Sequence, residues 1–240
     1  MKHSTLFCRP GLLCGAALGQ NARVGVELPF ISPGDFADRL SRCSPEELSD
    51  HQKDQLYQHY SELQRWNRTI SLVGATPEHE LVERHYGESL AGLRLIDSGE
   101  AELADLGTGA GFPGFVLAVA RPELRVTLVE ARERKCSFLQ AASRRAGLSC
   151  NCLNARVGTT PVEGLPKEID WITARAVAVK DLGLSVLMPK LSPRGALLLW
   201  VGARDPELPV GLVVRRELAL GGAEFRRIVE IANVTKEEEI

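Results

Sequence analysis

The sequence predicts an α/β fold: a mostly parallel sheet that ends in an antiparallel hairpin and is preceded by an α-helical region. Three observations predict it. From about residue 101, apolar runs of strand length alternate with helical segments, as they do in a parallel, doubly wound sheet. Four glycines, Gly107, Gly109, Gly111 and Gly114, fall between the first run and an apolar helix, where a sharp strand-to-helix turn needs residues that tolerate positive φ. Two late runs meet at Gly221-Gly222, as the arms of a hairpin do.

At 240 residues the chain can bury one proper core with something appended. The reading divides it into a poorly ordered extension (1–35), a helical region (36–98), the sheet-bearing domain (99–235) and a charged tail (236–240). A net charge of −2 gives no global positive field. A nucleic-acid surface would have to be local. The basic clusters Arg132/Arg134/Lys135, Arg144/Arg145, Arg215/Arg216 and Arg226/Arg227 each read first as solvated helix faces or strand ends. Six cysteines without a Cys-x-x-Cys pair, and five histidines without an i, i+4 pair, offer no metal site. The cysteines read as reduced, mostly buried thiols of a cytoplasmic protein, and the chain is expected to be a monomer. Lys2 and Arg9 precede Leu12–Leu18, but the apolar stretch is short and Pro10 stands in front of it. The reading is an extension, not an export signal, and no stretch has the length of a membrane span.

The elements follow in order. Residues 1–43 lack clear periodicity. Ser44-Pro45-Glu46-Glu47 spells a helix start, and Leu48, Leu56, Tyr60 and Leu63 form the apolar stripe behind it. Thr76-Pro77-Glu78 starts a second helix carrying Leu81, Val82, Leu90 and Leu93. Strands are expected at Ala101–Leu106, Val126–Glu130, Cys150–Leu153, Ile169–Thr173 and Ala196–Val201. Helices are expected at Phe115–Ala120, stopped by Arg121-Pro122, and at Glu133–Ala146, capped by Gly147. Leu212–Leu220 and Arg227–Val234 make the hairpin.

In open α/β sheets the ligand lies over the carboxyl ends of the strands. The glycine loop, Asp105-Leu106-Gly107-Thr108-Gly109-Ala110-Gly111-Phe112-Pro113-Gly114, therefore marks the site of a nucleoside-like cofactor. Glu130 ends the second strand, nineteen residues beyond Gly111, where a carboxylate can accept both ribose hydroxyls. Two cofactors suit that geometry. Gly109–Gly114 literally spells the dinucleotide fingerprint G-x-G-x-x-G. Against it, the glycines begin one repeat earlier, and Pro113 lacks an N–H that a pyrophosphate would want. S-Adenosylmethionine carries no phosphate and makes no such demand.

Asp105–Gly114 with Arg121-Pro122 resembles the bacterial family that methylates N7 of a guanine in small-subunit ribosomal RNA, the methyltransferase G or GidB family. Arg65-Trp66-Asn67-Arg68-x-Ile70-x-Leu72, Arg84-His85-x-x-x-Ser89-Leu90, Ala155-Arg156-Val157 and Thr173-Ala174-Arg175-Ala176 resemble its other motifs, in order, from about Phe36 to Asn233. The resemblance implies a class I, Rossmann-like methyltransferase sheet and S-adenosyl-L-methionine as cofactor. Its implied cofactor contacts are Gly107, Phe112, Val157, Gly158 and Arg175, beside Gly109 and Gly111 of the loop and the strand-end Glu130. It further implies 16S ribosomal RNA, or the small subunit, as partner and the 530-loop guanine, position 527 in standard rRNA numbering, as target. The chain departs from the family pattern in having Gly158 for a common Glu, Val201-Gly202 for Lys-Gly, and the longer Glu88 before Ser89.

Guanine N7 carries a lone pair and no proton at neutral pH, so its methylation needs no general base. The chain accordingly has no Asn/Asp-Pro-Pro-Tyr/Phe to grip an exocyclic amine and no Pro-Cys nucleophile. No catalytic residue is assigned beyond Arg175, which would orient cofactor or base bidentately. Arg65, Arg68, Arg84, Arg226 and Arg227 are the expected RNA contacts. Trp66 and His85 read as packing residues before they read as stacking or catalytic ones. Two rival readings stay open here: an NAD-dependent dehydrogenase, and a non-catalytic RNA-binding protein that keeps the fold.

Overall fold

The computed structural model describes residues 25–158, 160–221 and 225–233. The first 24 residues, most of the hairpin turn and the charged tail lie outside the described residues. Seven strands form one sheet in the order β3-β2-β1-β4-β5-β7-β6. They are β1 (Ala101–Leu106), β2 (Leu124–Glu130), β3 (Asn151–Asn154), β4 (Ile169–Arg175), β5 (Leu191–Val201), β6 (Leu212–Ala219) and β7 (Arg227–Asn233). The first five pair in parallel, and β7 runs antiparallel to both β5 and β6. Chain order reverses between β1 and β4, so the ligand-binding crevice falls at their carboxyl ends.

The helical region begins earlier than the sequence reading placed it. Helix α1 (Pro33–Cys43) is capped by the Ser32 side chain on the Asp35 amide, with proline in its first turn. Leu28 and Ile31, ahead of it, are already buried. The start expected at Ser44 is a correction too: Ser44 closes α1, and α2 (Asp50–Asn67) starts from Ser49 with a reciprocal capping box to Gln52. The two starts look alike in sequence because serine followed three residues later by Glu or Gln occurs at neither uniquely. The next segment is α3 (Glu78–Leu81), a π-helical turn (Val82–Gly87), α4 (Glu88–Leu90) and a 3₁₀ turn (Ala91–Arg94).

This region shares one continuous core with a face of the sheet, so it does not stand apart from the second domain. Phe36, Leu56, Tyr60 and Leu81 pack into the same cluster as Phe115 of α5 (Gly114–Ala120) and Leu139 of α6 (Glu133–Ala146). Polar ties fix the register of the two layers. Gln52 Nε2 donates to the carbonyls of Val119 and Ala120, and Gln55 Nε2 to that of Ala146. Each amide thereby satisfies carbonyls that the ends of α5 and α6 leave without helical partners. Arg121 does the same for Leu93 and Ile96 while pairing with Glu46. The opposite sheet face is covered by Leu182, Met188 and, from α7 (Leu184–Leu187), Leu184 and Leu187. Among the described residues no helix is long and apolar enough to cross a membrane.

Candidate cofactor site

A cavity of about 780 Å³ opens over the carboxyl ends of the parallel strands, with Gly107, Glu130, Lys135, Val157, Gly158 and Ala176 in its wall. Four of the residues singled out from sequence therefore converge. Gly107 is needed for space as well as for its φ of +65°, since a Cβ there would sit 2.7 Å from Val177 Cγ2. The Gly158 and Gly183 backbones also touch: a Cβ on Gly183 would lie 1.7 Å from the Gly158 carbonyl oxygen. That contact holds together the loops after β3 and β4 that form one side of the cavity.

Glu130 is 7% exposed, and its carboxylate binds the loop before any ligand arrives. Oε2 accepts from the Gly109 amide at 3.0 Å and Oε1 from the Arg132 amide at 2.8 Å. Each oxygen keeps a further acceptor site for a ribose hydroxyl. Lys135 stands on the first turn of α6 with its Nζ 3.7 Å from where a Gly109 Cβ would be. Burial lowers the Lys135 pKa, and the Glu130 carboxylate offsets only part of that. The sequence reading filed Lys135 as a solvated helix face; its place five residues after the strand-end acid was the available signal.

Gly111 and Phe112 face elsewhere. A Cβ on Gly111 would meet Phe115 Cβ at 2.8 Å and His59 Nε2 at 3.2 Å, so this glycine admits the helical layer to the loop. Phe112 stacks on His85 and meets Tyr86 and His59 edge to face. Its ring joins the two layers and is absent from the cavity wall. His59, fully buried, completes this joint with 2.8 Å contacts to the Ala110 carbonyl oxygen and the Tyr86 hydroxyl. A carbonyl can only accept, so Nε2 carries the proton and Nδ1 accepts from Tyr86.

Arg175 also departs from expectation. Its guanidinium leaves the cavity for the helical region, donating to Glu88 Oε2 at 2.7 Å and the Arg84 carbonyl at 2.8 Å. Arg226 reaches the same carboxylate at 3.0 Å. Arg227 is held by Asp205 and by the Gly202 carbonyl, so it is a structural cation, not an open RNA contact. The exposed Arg65 pairs with the buried Glu62 and the exposed Arg68 with the exposed Glu27, and both arginines line a groove beside exposed Phe30. Arg84 is exposed. Trp66 packs on Phe138 and donates to Glu62, in line with its core reading.

The start of α5 decides between the two cofactors. Pro113 supplies no N–H, and the Gly114 amide donates to Asp105 Oδ2 at 2.9 Å, beneath the loop. Asp105 is itself fully buried and accepts from Thr173 Oγ1 at 2.7 Å. A helix N-terminus holds pyrophosphate through free amides, and here a buried carboxylate has taken that place. The architecture has a nucleoside cradle without a phosphate seat.

Comparison with known proteins agrees. The family model for rRNA small subunit methyltransferase G matches residues 52–208. The chain belongs to this family. The Xanthomonas euvesicatoria ribosomal RNA small subunit methyltransferase G is 41% identical over 158 residues, 63% of this chain and 72% of that protein. The Sorangium cellulosum methyltransferase G is 36% identical over 186 residues, 75% and 76% of the two chains. Among solved structures, the mitomycin 7-O-methyltransferase MmcR superposes with a TM-score of 0.50 at 19% identity, over 85% of this chain and 74% of its own. TrmN of Thermus thermophilus gives 0.50 at 22%, over 64% and 53%. These two show the fold alone. Membership in methyltransferase G retires the dehydrogenase reading and makes S-adenosyl-L-methionine the cofactor.

Proposed function

We propose that this member of the methyltransferase G family transfers a methyl group to N7 of a guanine in 16S ribosomal RNA, the 530-loop guanine. The observation that carries the reading is the cavity beside a phosphate-free glycine turn, closed on one side by the Glu130 carboxylate. When bound, S-adenosylmethionine supplies a sulfonium-activated methyl group. The chain's part is to bind and align. Glu130 would hold the ribose hydroxyls, the backbone at Val157 and Gly158 the adenine edge, and Gly107 the close approach of the nucleoside. Gly109 acts through its amide, which fixes Glu130. Phe112 and Gly111 act at one remove by locking the loop to the helical layer. Nothing in the loop need accept a proton, because N7 has none to lose. Orientation of this kind can contribute roughly 7–11 kcal/mol to a barrier. Of the expected RNA contacts, the exposed Arg65, Arg68 and Arg84 fit the phosphates of the RNA, and the protein is taken to work as a cytoplasmic monomer.

Incubating the protein with small-subunit RNA and labelled S-adenosylmethionine tests the reading. Label on the N7 of one guanine is the expected result; RNA binding without label would favour the non-catalytic alternative. A second expectation concerns Glu130→Gln. Its amide would turn an NH₂ toward either the Gly109 or the Arg132 amide, donor against donor. The affinity for S-adenosylhomocysteine should fall about 10- to 100-fold, roughly 1.4–3 kcal/mol. Calorimetry showing unchanged affinity would remove Glu130 from the cofactor site.

A further inference from the structure

We infer that Glu88 is the residue that reads the acceptor base, its carboxylate taking the Watson–Crick edge of an unstacked guanine while N7 points toward the cofactor cavity. The inference rests on the proposed RNA guanine activity and deepens it. Glu88 is 6% exposed, yet one of its oxygens is not hydrogen-bonded. Oε2 is held by Arg175 at 2.7 Å. Oε1 has Arg226 at 3.0 Å in an ion pair, but among the described residues it has no hydrogen bond, and neither has the buried Nε of Arg226. Buried polar atoms are nearly always satisfied, and exceptions ask for a reason. A network left half-satisfied is costly for stability; a donor pair arriving with the substrate would complete it.

The place of the cluster supports the role. Arg175 ends β4, and Ala176, the next residue, lines the cofactor cavity with φ +58°. Arg226 precedes β7, and Trp200 of β5, paired with both Arg175 and Ile228, donates its indole N–H to the Glu88 carbonyl. All of these stand at the carboxyl edge of the sheet. Phe225 comes just before Arg226, 64% exposed and with φ +73°. A bulky residue held in the left-handed region points to a functional constraint. Ala176 and Phe225, one flanking each arginine, are the two non-glycine residues with positive φ among those described.

The chemistry selects the base. Guanine alone among the four bases places two donors side by side, N1–H and the N2 amine, and a carboxylate accepts both. The adjacent O6 is an acceptor for Arg226 or Arg175. Adenine would set its N1 lone pair against the carboxylate. A contact on this edge leaves N7, on the opposite side of the ring, open to methylation. Phe225 offers the face on which an unstacked base rests.

The test compares RNA carrying guanosine with RNA carrying inosine at the target position, since inosine lacks the N2 amine. Wild-type protein should show a kcat/KM about tenfold or more lower on inosine, and Glu88→Gln should bring the two substrates within about twofold of each other. S-Adenosylhomocysteine affinity, measured alongside, should stay within about twofold in that variant. Phe225→Ala, a change on the surface that leaves the core intact, should raise KM for RNA about tenfold with a smaller effect on kcat. Equal rates on guanosine and inosine in the wild type, or an undiminished preference in Glu88→Gln, would overturn the inference and leave the methyltransferase reading standing. No transfer to guanosine by the wild type would overturn both.

Discussion

Acidification from pH 6.5 to pH 4 is expected to remove several kcal/mol of stability through two histidines, the buried His59 and the half-buried His85. Burial lowers the pKa of His59 to about 4. Burial, aided by Arg175, Arg84 and Arg226, lowers that of His85 to about 3. Both values lie below the ordinary 6.5, so between 6.5 and 4 the unfolded chain binds protons that the folded chain refuses. The stability these groups provide is complete above the unfolded pKa and is lost as pH falls through that window. Each contributes a slope of about 1.4 kcal/mol per pH unit. Together that is about 7 kcal/mol by pH 4, comparable with the whole stability of an ordinary domain. Two carboxylates act in the opposite sense. Burial raises Asp105 and Glu88 above their ordinary values, so they favour the folded state on acidification over the range above about 4. The difference between variants isolates the histidine. Glutamine at position 59 can keep a donor toward the Ala110 carbonyl without titrating. Urea unfolding of His59→Gln should therefore lose stability about 1.4 kcal/mol per pH unit less steeply than wild type. Parallel pH profiles for the two proteins would show that His59 is not kept neutral by the fold.

Why a neutral histidine sits there explains what was legible in the sequence and what was not. The central strands were legible because their apolar runs are buried on both faces, whereas β3 and β6, at the sheet edges, are largely exposed. Gly147, at φ +62°, closes α6 where its position in the sequence predicted. Gly107 and Glu130 were legible from their strand-end positions and Val157 and Gly158 from the family resemblance, and all four line one cavity. Residues whose roles depend on a partner far along the chain were not. Arg175 answers Glu88, 87 residues away, and Gly111 makes room for His59, 52 residues away. No local pattern contains either pairing. Phe112 was misplaced for the same reason, since a loop aromatic next to a cofactor site reads as a ligand contact until the ring stack on His85 is seen. Helix α1 escaped because its buried face rests on few apolar residues, chiefly Phe36 and Leu40, while the buried Arg39 interrupts the pattern. Arg39 is accommodated by two hydrogen bonds to Glu83 and one to the Glu78 carbonyl.

Asp105→Ala is expected to be the most damaging single substitution in the glycine turn, at about 3–5 kcal/mol. The carboxylate is fully buried and holds the Gly114 amide on one oxygen and the Thr173 hydroxyl on the other. Removing it strands two donors, the Gly114 amide at the start of α5 and the Thr173 hydroxyl inside β4, in a buried site. For a chain of this size the loss corresponds to a fall in Tm of about 10 °C. Asp105→Asn separates geometry from charge. Its carbonyl oxygen can keep the Gly114 amide and its NH₂ can donate to Thr173 Oγ1, which then needs a new acceptor for its own proton. Relief from burying a charge offsets part of that, so the asparagine variant should lose only about 1–2 kcal/mol. It should keep its affinity for S-adenosylhomocysteine, because the cradle is built from Gly107, Glu130 and the loops after β3 and β4, with Asp105 beneath it. Nor should neutralising Asp105 create affinity for NAD, since Pro113 still lacks an N–H and the Gly114 amide remains engaged. Alanine and asparagine variants with equal stability would mean that the two hydrogen bonds do not hold the turn. Tight NAD binding by the asparagine variant would mean that charge alone, and not the missing amides, keeps a pyrophosphate out.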